Sequence, residues 1–196
     1  MRYLIWNLIF SSLAYAKAIP SEHSVVVRAP GWPESYIAFG DSYAAGIGAG
    51  KFYKPEDRSN KACKRFTGSY PVLLSKLGLF NHGATDFSFP ACTGDVIDDL
   101  EYQFGKVPGK RAHVVTLSIG GNDFDFAPVV LACVYNYNVI GDRDKECDAA
   151  LAKAEEHVKN ETIWANYRTK VKHILDNHMT SEAAGEGASV LLITGT

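Results

Sequence analysis

Three apolar runs, each stopping at a glycine, constrain the fold of this chain more than any other feature. They are Tyr36 to Phe39 before Gly40, "HVVTLSI" from His113 to Ile119 before Gly120, and "SVLLIT" from Ser189 to Thr194 before Gly195. A continuous apolar stretch too short for a helix and closed by glycine reads as a central parallel strand buried on both faces. Helical patterns separate the runs: "YPVLLSKLGLF" from Tyr70, "DVIDDLEYQF" from Asp95, and a long amphipathic stretch from Lys145 to Met179 with apolar residues at helical spacing. A fourth, shorter strand is expected in "ATDFSF" before Pro90. Alternating strands and helices imply an α/β sheet with ligands at the carboxyl ends of its strands.

The 196 residues suffice for one domain, expected over 36–196. Ahead of it, Arg2, an apolar run from Tyr3 to Leu13 and small residues at Ala14, Ala16 and Ala18 have the layout of a removable secretory signal over 1–18. The run is too short for a membrane span. Pro30 and Pro33 make 19–35 read as an extended leader. The formal charge of -2 offers no basic face for nucleic acid or anionic lipid, so polyanionic partners are not expected. Cys63, Cys92, Cys133 and Cys147 suit an oxidising compartment and allow three pairings. They lack zinc-like spacing, so neither a metal nor a cofactor is expected. Asn160, in "NET", is an acceptor for N-glycosylation and is expected on a polar helix face.

Three short segments carry chemistry. In "FGDSYAAG" Gly40 permits a sharp turn that leaves Ser42 at a helix start, as a nucleophile or as an ordinary cap shared with Asp41. Gly46, Gly48 and Gly50 beyond it lack phosphate-loop spacing and read as a flexible loop bordering a cleft. In "PACTGD" the Gly94 N–H precedes a helical pattern, and in "SIGGND" Asn122 follows a strand with its amide free to face developing negative charge. Each segment alone is also an ordinary turn.

Together the three resemble the SGNH, or GDSL-type, family of serine hydrolases, with Ser42, Gly94 and Asn122 in its first three motif blocks. The resemblance covers about Tyr36 to Thr196 and rests on the order and spacing of the blocks. It implies a flavodoxin-like three-layer α/β/α sandwich and a carboxylic ester hydrolase, secreted and monomeric. Ser42 becomes the nucleophile, and the Ser42 and Gly94 amides with the Asn122 side chain become the oxyanion hole. Similarity to the disulfide-bearing esterases and lipases of the family further implies pairing of Cys63 with Cys92, leaving Cys133 and Cys147 to close a local loop. These bridges are expected to hold cleft loops rather than the core.

The family's Asp-x-x-His motif does not occur in the sequence, and His23, His82, His113, His157, His173 and His178 all stand elsewhere. Two expectations follow: an ester hydrolase whose base lies beyond these residues, or a catalytically dead secreted binding module of the same fold. Either implies negligible turnover by this chain alone. The substrate stays open among lipid esters, acetylated polysaccharide and aryl esters. Phe52, Tyr53, Phe124 and Phe126 are candidate wall residues, in a binding cleft or in ordinary packing.

Overall fold

In a computed structural model of the chain, the described residues are 33–77, 80, 84, 86–135, 143–181 and 189–194. The expected signal segment, most of the leader, His23 and His82 lie outside them. Four parallel strands form one sheet in the order β2-β1-β3-β4: β1 Ser35–Gly40, β2 Asp86–Ser88, β3 Val114–Ser118 and β4 Val190–Ile193. The register sets Tyr36 against Val114 and Gly40 against Ser118, so β1 and β3 end level with each other.

Period-two alternation along β1 and β3 feeds two cores. Ile37, Phe39, Val115 and Leu117 pack on one face against Ile97, Leu100, Phe104 and Ile174. Tyr36, Ala38 and Val114 pack on the other with Phe80 and Leu74. Helices therefore lie on both faces, and the arrangement is the expected three-layer sandwich. Helices α1 Ser42–Ala45, α2 Arg58–Ala62 and α3 Tyr70–Leu74 precede β2. A 3-10 turn at Ile97–Asp99 leads into α4 Leu100–Gly105, and α5 Phe126–Cys133, α6 Arg143–Val158 and α7 Glu161–Asn177 follow β3.

The helix expected from Lys145 to Met179 is two helices. Asn160 is the N-cap of α7, its side chain accepting from the Thr162 N–H at 2.9 Å, so it sits at a junction and not on a continuous polar face. The helix at Tyr70 is also shorter than its apolar pattern, ending at Leu74. Gly46 to Gly50, expected as a flexible loop, is laced to its neighbours: Gly68 N–H donates to Ala49 O and Thr67 N–H to Lys51 O, both at 2.8 Å.

Candidate active site

Gly40 ends β1 with φ of +146°, and a Cβ there would stand 2.3 Å from Ser118 O and 2.8 Å from the Ala44 Cβ. Only glycine fits, and the chain turns directly into α1. Asp41, 2 % exposed, is the N-cap: its backbone N–H donates to Ser118 O at 2.8 Å and its carboxylate accepts from the Tyr43 N–H at 3.0 Å. Ser42 is thereby the first helical residue and half-buried. Capping is done by Asp41, which leaves the Ser42 hydroxyl out of that duty.

Gly94 lies in the segment after β2, at φ of +93° with open space where a Cβ would be. That segment is tied to the end of β1 by Cys92 N–H donating to Gly40 O at 2.9 Å. Asn122 follows β3, and its Nδ2 donates to Asp95 O at 2.7 Å. A carboxamide nitrogen carries two hydrogens, so one donor of Asn122 is left over beside the Gly94 segment. The three predicted segments thus meet at the carboxyl ends of β1 and β3.

Gln103 completes this frame and was missed in the sequence. Fully buried on α4, it accepts from the Gly40 N–H at 3.0 Å and donates through Nε2 to Gly40 O at 2.8 Å and Asp95 Oδ2 at 2.7 Å. The signal was available: Leu100, Gln103 and Phe104 share a helical face, and a glutamine among apolar core positions requires partners. Arg65 was missed as well. Its buried guanidinium holds the chain ahead of Gly94, with Nε donating to Ala91 O at 2.7 Å and Nη2 to Pro90 O at 3.0 Å.

Three carboxyls are drawn into the site. Burial pushes Asp41, Asp95 and Asp123 above the ordinary aspartate range, against hydrogen bonds that favour their charged forms. Asp123 accepts from the Ile97 N–H with both oxygens, at 3.2 and 3.0 Å, which fastens the Asn122 turn to the start of the 3-10 turn.

Each described histidine has a partner of its own, and of the four only His157 reaches the Asn122 turn, through the Asp123 carbonyl and the Asp125 carboxylate. His113 pairs with Ser35 Oγ, His157 Nδ1 with Asp123 O, and His178 Nδ1 donates to Lys110 O, while His173 stacks on Phe104. Asn160 stands apart from the site, at the α6–α7 junction. Both disulfides pair as expected. Cys63–Cys92 joins α2 to the segment before Gly94, whereas Cys133–Cys147 joins the end of α5 to α6. Of the candidate wall residues, Phe52 stacks on Phe66, Tyr53 meets Phe87 and Phe89, and Phe124 packs on Trp164; Phe126 is 55 % exposed. Among the described residues no group of three or more His, Cys, Asp or Glu is arranged to hold a metal ion.

The family model for the GDSL-like lipase/acylhydrolase family matches residues 38–191. A lipase of Streptomyces rimosus is 36% identical over 124 residues, which is 63% of this chain and 41% of the relative. Lipase 1 of Streptomyces coelicolor is 32% identical over 147 residues, 74% of this chain and 49% of the relative. The crystal structure of the extracellular lipase from Streptomyces rimosus superposes with a TM-score of 0.61 at 31% identity, covering 81% of this chain and 58% of the lipase. The chain spans less than half the length of these two curated relatives.

Proposed function

The chain belongs to the GDSL-like lipase/acylhydrolase family, and from that premise we propose that Ser42 is the nucleophile of a carboxylic ester hydrolase. The hydrogen-bonded frame joining the Ser42, Gly94 and Asn122 segments through Gly40, Asp95 and Gln103 is the observation that carries this reading. Ser42 Oγ bonds to the ester carbonyl carbon as a base takes its proton. The Ser42 and Gly94 amides and the second Asn122 N–H hold the tetrahedral oxyanion, and the alcohol leaves with a proton. Water then cleaves the acyl-enzyme and releases the acid.

The substrate is an ester of the kind lipases cleave, small enough at its reacting end to reach a half-buried serine. The chain is secreted through the 1–18 signal, acts as a monomer without a cofactor over 36–196, and accepts a glycan on Asn160.

No Asp-x-x-His occurs in the sequence, so the 196-residue chain by itself is expected to turn over negligibly, and the test supplies a base. A fluorophosphonate incubated with the full chain should label Ser42, as peptide mass mapping reads, and imidazole should quicken the labelling. Asn122→Ala should slow it about 10²–10³-fold, the usual cost of one oxyanion donor. Label on another residue, or labelling indifferent to Ser42→Ala, sinks the proposal.

A further inference from the structure

Residues 51–65 concentrate charge in a way that the chain-wide value of -2 conceals. They hold six cations, Lys51, Lys54, Arg58, Lys61, Lys64 and Arg65, against two acids, Glu56 and Asp57. Arg65 is buried at the lobe's base; the other five cations are exposed. Among the described residues none of those five forms an ion pair. Lys54 and Lys64 also occupy left-handed backbone, at φ of 40° and 50°, where glycine or asparagine would cost less.

This lobe is fixed to the candidate site. Cys63–Cys92 and the Thr93 N–H donating to Cys63 O bind it to the segment carrying Gly94. On its other side the Phe66 N–H donates to Ala45 O at the end of α1. Apolar side chains are exposed nearby: Tyr43 of α1 at 58 %, beside Tyr70, Ile47 after α1 at 54 %, and Phe52 at 40 %, stacked on Phe66. Lone exposed apolar residues are commonplace, but these lie in or just ahead of the segment whose exposed cations form no ion pairs among the described residues, and within ten residues of Ser42 in the chain.

We propose that the 51–65 lobe, with Tyr43, Ile47 and Phe52, docks the protein on an anionic lipid surface and so presents lipid esters to Ser42. The proposal deepens the ester hydrolase reading and rests on it. Cations beside apolar side chains suit an interface whose headgroups are negative and whose interior is apolar. A nucleic acid would use the cations and leave Ile47 and Phe52 in water.

The test reads binding without turnover. The full chain is sedimented with vesicles of phosphatidylcholine alone or mixed with phosphatidylglycerol. Binding should require phosphatidylglycerol and weaken as salt rises. Lys54→Glu/Arg58→Glu/Lys61→Glu should lower partitioning about 100-fold, while Lys54→Arg/Lys61→Arg should retain it. Ile47→Ser should lower it at unchanged charge. Ser42→Ala should bind like the unmodified chain, so failure of the nucleophile reading leaves this result standing. Equal binding to neutral vesicles, absence of binding to both, loss in the arginine variant, or tighter retention on a duplex oligonucleotide overturns the proposal. Should the triple variant misfold by circular dichroism, the salt titration and the arginine variant still decide.

Discussion

Gly40 governs the geometry around Ser42 because the position allows no side chain. Its φ of +146° is strained for an L-residue, and a Cβ would meet the Ser118 carbonyl at 2.3 Å. Since Ser118 O also accepts the Asp41 N–H, relief of that clash shifts the bond that sets the N-cap of α1. Gly40→Ala is expected to cost about 3 kcal/mol, lowering Tm by about 6–12 °C in a thermal melt; a variant melting with the unmodified chain refutes this account of the turn. What the sequence showed of the site followed the same division. Gly40, Ser42, Gly94 and Asn122 were legible because their types and order are unusual in combination. Gln103 and Arg65 were not, since a polar residue in a helical pattern or a basic one in a charged stretch looks solvated until the fold turns it inward. Both are spent on backbone carbonyls.

Among the elements, β1 and β3 were the easiest to read, because burial on both faces leaves few polar residues to interrupt them; β4, expected to be equally central, is at the edge of the described sheet, with Leu192 and Ile193 exposed. Tyr36 to Phe39 lies within β1, and the other two apolar runs exceed β3 and β4 by one residue at each end. The α6–α7 junction was missed because apolar spacing continues across it, in Leu151, Ala154 and Val158 and then Trp164 and Tyr167. The stop was written in Asn160 itself: an asparagine followed by glutamate is a helix start as well as part of an acceptor triplet. The two roles use different atoms. Oδ1 takes the Thr162 N–H, and Nδ2 is the atom a glycan would join. Asn160→Ala is therefore expected to lose about 1 kcal/mol, whereas Asn160→Asp keeps the cap and melts within a degree or so of the parent. In a glycosylating host both variants should lose the same glycan mass. Equal destabilisation by Ala and Asp would show that the cap contributes nothing.

At the scale of the whole molecule, buried charge at the carboxyl end of the sheet opposes stability as pH rises. Asp41, Asp95 and Asp123 titrate above their unfolded value of about 3.8, with burial the largest cause for each. Through the window between the unfolded and raised values the native state holds more protons than the unfolded chain, so stability falls as pH increases there. Above that window the loss remains, because each carboxyl then carries its charge in a poorly solvated place. His178 acts oppositely at the other end of the sheet. Burial, with His173 and Arg111 nearby, holds its imidazole below the usual range, so the native state binds fewer protons and stability falls as pH drops below about 6.5. Asp95 separates the two effects, because Asn at that position still accepts from Gln103 while carrying no charge. Asp95→Asn is expected to raise Tm by a few degrees at pH 7 and by less at pH 4, closer to the window in which the fold takes up the proton. Melts of both proteins at the two pH values test this, and an equal gain at each, or a loss at pH 7, would mean that the carboxylate is compensated there. On the proposed reading the same carboxyls stand beside the oxyanion hole, so relieving their charge should not weaken Ser42 labelling, and a fall in labelling alongside a raised Tm would show stability at this end of the sheet being exchanged for the electrostatics of the proposed site.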